Sequence, residues 1–248
     1  MKQINIFEGS VMLVSLDNLK IIKRKESENN REYVFRLLRY NIMSLRMVPG
    51  EVIKESDIAQ FLNVSRTPVH EAVLMLKENF LVDVLPQSSS KVSLVNLEVM
   101  REGYFLRSVL EPTIIRQVAG NISPEILRLL KENLKKQSEI LSNPDEVDEY
   151  FALDDEFHGY IYTAANKSHI WTMVKSVCSA FDRVRHMDTI LMSGDRKQFR
   201  DDHHTLYQYL MLGVGLQDNI EEFYDRHIGA YKKEFNNMIS TYPSYFVM

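Results

Sequence analysis

Apolar residues recur at helical spacing along most of this chain, and the intervals between them divide it into distinct textures. Within Glu55–Leu81, Ile58, Ala59 and Leu62 share one face of a short helix. Val69, Ala72, Val73, Leu76 and, just beyond, Phe80 repeat with a period near 3.6 in a second. Ahead of them a helix from about Arg31 to Leu45 carries Val34, Leu37, Leu38, Ile42 and Leu45 on one stripe. Behind them, residues 81–85 and 91–94 read as β-strands joined through Pro86-Gln87-Ser88-Ser89-Ser90, a two-stranded hairpin. From Val95 onward long 3.6-period segments follow one another without strand-like alternation, at about 97–119, 123–142, 146–165, 167–190, 197–213 and 217–240. The fold class that follows is mainly α: an N-terminal winged helix-turn-helix, then an all-α helical bundle.

Start and stop residues support these limits. Asn63-Val64-Ser65 supplies a turn and an N-cap serine, and Pro68 falls in the first helical turn, where its missing N–H costs little. Arg66, Thr67 and His70 are thereby left on the exposed N-terminal end of the second helix, the end a recognition helix presents to base edges. Pro49-Gly50, Gly120, Ser123-Pro124, Asn143-Pro144 and Ser193-Gly194-Asp195 punctuate the rest.

A length of 248 residues with 45% hydrophobic composition accommodates two domains with sizeable cores, and the change of texture places them at 31–95 and 96–248. Residues 1–30 end in a charged run that reads as a flexible leader. Lys20, Lys23, Arg24 and Lys25 are either solvated there or form a basic arm for a minor groove. Residues 1–95 hold 13 basic against 11 acidic residues, and residues 96–248 hold 17 against 23. The bias is weak, and only the local field at a binding face matters for phosphate contact. One cysteine, Cys178, excludes an internal disulfide framework and fits a reducing compartment. No apolar run approaches the roughly 18 residues that span a bilayer, so the expected location is cytoplasmic.

The stretch PGEVIKESDIAQFLNVSRTPVHEAV, followed by the hairpin and then by YFLRSVLEPTIIRQVA, resembles the GntR family of bacterial transcription regulators. The second half is similar to the FCD domain of its FadR-like branch, and the likeness covers roughly residues 31–240. It implies a homodimer that binds a pseudo-palindromic double-stranded operator through the winged helix, with a small acid tuning the affinity. Arg66 falls on the family's DNA-contacting arginine, Thr67 and the neighbouring Ser65 lie at the same helix start, and Lys91 is the cation nearest the wing tip. Three positions depart from the pattern: Ser56 and His70 stand where arginines are usual, and Ser89 stands where the wing has glycine. Imidazole does not reproduce arginine's bidentate grip on guanine, so an altered half-site is expected.

Asp154 and His158 form an i, i+4 pair on one helix face, a spacing that can chelate. The resemblance adds two later histidines: His227, and His203 or His204. Leu206 and Leu210, three and seven residues on, fit the family pattern from His203. Three imidazoles and one carboxylate suit a divalent transition metal, zinc or nickel, more than calcium. The plainer reading makes them bundle residues satisfied by hydrogen bonds. Arg107, Arg183 and Arg185 are candidate partners of a ligand carboxylate, with Glu111 or Asp182 as internal alternatives. The function that follows is a ligand-responsive repressor whose bundle binds a metal and a small organic acid such as a sugar acid. Two alternatives stand beside it: a metal-dependent hydrolase built on the Asp/His set, and a regulator with a purely structural metal.

Overall fold

The computed structural model describes residues 13–84, 90–141, 147–192, 194, 196–216 and 218–247. The chain divides into two compact units, Met1–Leu94 and Val95–Met248.

In the first unit, helix α1 (Asn30–Met43) begins with a capping box. The Asn29 side chain accepts from Glu32 N at 3.0 Å, and the Glu32 carboxylate accepts from Asn29 N at 3.1 Å. The helix ends at Met43 rather than Leu45, because Leu45 takes a left-handed φ of 55° and the next two amides both donate to Asn41 O. Helices α2 (Glu55–Phe61) and α3 (Arg66–Glu78) follow, and Asn63 makes the tight turn between them at φ 51°. Val34, Leu37, Leu38 and Ile42 of α1 share one core with Ile58, Val69, Ala72, Val73 and Leu76. Two expectations fail locally. Ser65 occupies the N-cap of α3 with extended backbone, but its hydroxyl makes no capping hydrogen bond. Phe80 is 50% exposed, because at φ 57° it turns the chain out of the helix and sends Leu81 into the core in its place.

Strands β2 (Val82–Val84) and β3 (Ser90–Val92) pair antiparallel as Val82↔Val92, Asp83↔Lys91 and Val84↔Ser90. A third strand, β1 (Val52–Ile53), pairs with the other edge of β3 and gives the order β1-β3-β2. Two residues are too few to show alternation, so β1 left no signature in the hydrophobic pattern. The hairpin tip, with Ser89, lies outside the described residues.

The flexible leader expected over residues 1–30 is corrected from Leu13 onward. Leu13 bridges Val52 in parallel, and Leu19 enters the core with Val14, Leu16 and Ile22 packed against it. The Asn41 side chain accepts from Lys20 N at 2.8 Å and donates to Lys20 O at 3.1 Å. Arg36 grips Glu28 through two nitrogens at 2.7 and 2.6 Å and holds that carboxyl down at about 2. Charged composition suggested a loose segment; four apolar residues, Val14, Leu16, Leu19 and Ile22, and the buried Asn41 tie it down.

In the second unit, β4 (Val95–Asn96) pairs in parallel with β5 (Phe246–Val247) near the end of the chain. Between them lie α4 (Leu97–Val118), α5 (Pro124–Ile140), α6 (Val147–Ala164), α7 (Ser168–Val177), α8 (Ser179–Leu191), α9 (Arg196–Leu212), α10 (Ile220–Ile228) and α11 (Phe235–Thr241). Ser123 caps α5 by accepting from Ile126 N, ahead of Pro124. Asn143-Pro144, Ser193 and Asp195 lie outside the described residues. The single helix expected over 167–190 breaks at Cys178, where α4 crosses so closely that a Cβ on Gly103 would stand 3.0 Å from Phe181 Cβ. The segment expected over 217–240 is likewise divided at Gly229, with a 3-10 turn over Ala230–Lys233 before α11. No helix among the described residues is long and apolar enough to cross a membrane.

If residues 13–29 are part of the folded first unit, Leu19→Ala removes buried surface and costs about 2–3 kcal/mol of its stability. Chemical denaturation of the full chain measures this; an unchanged midpoint would show the segment to be loosely attached.

Candidate functional site

Helices α6, α9 and α10 bring Asp154, His158, His203 and His227 together in the second unit. One ligand atom from each lies within 4.8 Å of all the others, and all four side chains are buried. Asp154 and His158 stand one turn apart on α6. The Nε2 atoms of His158, His203 and His227 have no hydrogen-bond partner, and Asp154 Oδ1 stands 4.0 Å from the first and 3.4 Å from the second.

The other nitrogen of each ring is occupied. His158 Nδ1 is 2.9 Å from Glu111 Oε2, His203 Nδ1 is 2.9 Å from Gln137 Oε1, and His227 Nδ1 is 3.1 Å from Asp202 Oδ2. An acceptor at Nδ1 holds the proton there and leaves Nε2 as a lone pair aimed at the cluster centre. Burial pushes the His203 imidazole well below its usual range, reinforced by His227, and pushes His227 down against the opposing pull of Asp202. Neutral rings are the form that binds metal. Buried polar groups are paired roughly nine times in ten, so three convergent unpaired Nε2 atoms are poorly explained as ordinary core histidines. Three imidazoles and one carboxylate are a donor set for a four-coordinate first-row transition ion, so the residues present fit such a metal.

Around this cluster runs a buried ionic network. Arg107 Nε donates to Glu111 Oε1 at 2.5 Å, and Tyr224 donates its hydroxyl hydrogen to the other Glu111 oxygen. Burial pushes the Glu111 carboxyl up, but Arg107 and His158 outweigh it and hold the group at about 2. Arg185 Nη2 contacts both Asp154 oxygens, at 3.2 and 3.0 Å. Burial would raise the Asp154 carboxyl, yet Arg185 and the neighbouring imidazoles keep it well below the usual carboxylate range. Arg107 and Arg185 also approach Asp182 at 3.6 and 3.7 Å, and Lys175 donates to the same carboxylate. Both arginines thus have internal carboxylate partners. Arg183 is buried on α8, but two residues from Arg185 places it about 200° further round the helix.

His204 is exposed, as is His169, while His186 stacks on Phe151 at 3.7 Å. The residues that sequence reasoning missed are those behind the rings: Gln137, Asp202 and Tyr224. Asp202 was visible as the acid beside His203, yet it serves His227 on another helix.

In the first unit, Arg66 and Thr67 are exposed at the start of α3, with Ser65 exposed just before them. His70 is exposed one turn later, and its Nδ1 lies 3.1 Å from Glu55 Oε2. Ser56 donates to Asp57 Oδ1 at 3.0 Å, and Lys91 is half-buried in the middle of β3. Ser89 lies outside the described residues.

A winged helix preceding a mainly helical unit is a build compatible with a DNA-binding regulator, and comparison with known proteins makes the assignment specific. Residues 30–92 match the profile of the bacterial regulatory proteins of the gntR family, and residues 102–213 match the FCD domain. The HTH-type transcriptional repressor RspR of Escherichia coli (strain K12) is 32% identical over 156 residues, 63% of this chain and 68% of that protein. The gluconate operon transcriptional repressor of Bacillus subtilis (strain 168) is 28% identical over 154 residues, 58% of this chain and 60% of that one. The structure of E. coli McbR/YncC shares the fold, with a TM-score of 0.68 at 20% identity, covering 87% of this chain and 99% of that one. The chain belongs to the GntR family, in its form with a C-terminal FCD domain, and is a transcriptional regulator. The metal-dependent hydrolase is therefore discarded, since the families and relatives matched are regulators and not enzymes.

Asp202 holds the His227 ring, so if the cluster takes up zinc, Asp202→Ala weakens that affinity by about 10- to 100-fold. Competition against a chromogenic chelator measures this, with His204→Ala as the control that leaves affinity unchanged. Equal loss in both variants would contradict the assignment.

Proposed function

We propose that this chain is a homodimeric repressor that binds a pseudo-palindromic operator through its winged helix. Its helical unit holds a divalent transition metal, zinc or nickel, together with a small organic acid. The observation that carries the sensing half is the convergence of three unpaired Nε2 atoms on Asp154, each ring pinned from behind. Arg107, with both terminal nitrogens buried and without a hydrogen-bond partner, favours a ligand beside the metal over a purely structural ion. Arg185 orients Asp154, and Arg183 lies buried on a different face of α8 from Arg185. The names of the two curated relatives support repression, and one of them controls a gluconate operon, which fits an acidic effector.

On the DNA side, Arg66 carries the base contact, with Thr67 and Ser65 beside it at the helix start. His70 is spoken for by Glu55, and Ser56 by Asp57, so neither replaces an arginine. Lys91 belongs to the wing strand β3. One winged helix reads one half-site, so a palindrome needs two copies. Exposed apolar residues are available for that pairing: Phe105 and Val109, one turn apart on α4, and Ile170, Met173 and Val177 on α7, which packs against α4. Phe105 and Met173 are 67% and 68% exposed, and a patch of large apolar residues that meets its own copy is the usual isologous solution. Acid binding and operator binding are coupled, and the coupling is reciprocal.

Gel shift with the promoter region of the chain's own gene tests the reading. Arg66→Ala loses about 10- to 100-fold in operator affinity, the worth of one base-edge contact; wild-type affinity would place the reading head elsewhere. Met173→Glu yields a monomer in analytical ultracentrifugation and no longer shifts the full palindrome. A variant that stays dimeric would remove α4 and α7 from the interface.

A further inference from the structure

One helical turn beyond the Asp/His cluster, α4 and α6 present a second set of buried polar atoms. Arg107 precedes Glu111 by one turn on α4, and Tyr162 follows His158 by one turn on α6. Since Glu111 pairs with His158 between these helices, Arg107 and Tyr162 occupy the next level of the same interface. Both side chains are 1% exposed. The Tyr162 hydroxyl and both Arg107 terminal nitrogens have no hydrogen-bond partner, the nearest carboxylate to Nη1 being Asp182 Oδ1 at 3.6 Å. Trp171, the only tryptophan of the chain, walls this level. Its ring lies 5.0 Å from that of Tyr162 and 5.7 Å from the Arg107 guanidinium carbon. Gly159 makes room for it, since a Cβ there would stand 3.1 Å from Trp171 Nε1.

Charge points to what fits. The carboxylates of Glu111, Asp154, Asp182 and Asp202 are matched by Arg107, Arg185, Lys175 and Arg226, with Lys175 shared with Asp155 at the surface. With coordinated imidazoles neutral, a divalent ion adds two positive charges that no group in this shell offsets. A monoacid balances one of them; a diacid balances both. One turn is about 5.4 Å, a separation suited to the two acid groups of a four-carbon chain.

We propose that Arg107 and Tyr162, under Trp171, form a second anion subsite, so that the effector is a small diacid with one carboxylate at the metal and the other here. This rests on the metal-and-acid reading above. Neither Tyr162 nor Trp171 is a metal ligand in that reading, and Tyr162→Phe keeps the ring that packs on Trp171.

The test follows Trp171 fluorescence in the full-length, zinc-loaded protein during titration with succinate and malate, against acetate and butyrate. The diacids bind at least about tenfold more tightly than the monoacids. Tyr162→Phe abolishes most of that preference while leaving monoacid affinity and zinc stoichiometry unchanged. A Tyr162→Phe protein that keeps the full preference overturns the subsite, as does equal affinity for both classes in the wild type. Those two results leave the metal-and-acid reading standing, whereas zinc loading with no response to any acid overturns both.

Discussion

Three hydrogen bonds at imidazole Nδ1 atoms set the arrangement of the second unit. A buried histidine ring is free to rotate and to exchange tautomers, and only a fixed acceptor on one nitrogen gives the other a constant direction. Glu111 on α4, Gln137 on α5 and Asp202 on α9 provide those acceptors, so three helices that supply the backing converge with three that supply the ligands. Helix α9 does both through consecutive residues, Asp202 turned to His227 and His203 to the centre. The packing of the bundle is thereby tied to the geometry of the cluster, and a shift of one helix would misdirect a ring.

The ionic network serves the same end at a cost. Burying Arg107, Arg185, Glu111, Asp154 and Asp182 forfeits hydration that their mutual attraction only partly returns, and well-packed apolar residues would often stabilise a bundle as much. Retaining these groups fits a site that must receive charge, since Arg185 keeps Asp154 ionised and oriented while Arg107 has donors to spare. In the first unit the balance is reversed. Its core is apolar apart from buried groups such as Asn41, and at the surface Glu55 pairs with the exposed His70 near the start of α3.

Much of the fold was legible because the helices are long and amphipathic, and α4, α5, α6 and α9 fall within a few residues of their periodic limits. What escaped depended on contacts between distant residues. The break at Cys178 follows from the close passage of Gly103, and the ordering of residues 13–29 from Leu19 and Asn41; neither is written in local pattern. The four residues of the cluster were found from one i, i+4 pair and a family likeness. Gln137 and Tyr224 carried no signal, since a buried amide on one helix and a phenol on another become meaningful only when folding sets them against a ring or a carboxylate. The roles of Arg107 and Arg185 were similarly open in sequence and are narrowed by the carboxylates each one meets.

X-ray absorption at the metal edge of the zinc-loaded protein reads the coordination shell itself. A four-coordinate shell of three imidazole nitrogens at about 2.0–2.1 Å and one carboxylate oxygen is expected, collapsing in His158→Ala. A shell of oxygens alone, or one unchanged by that substitution, would contradict it.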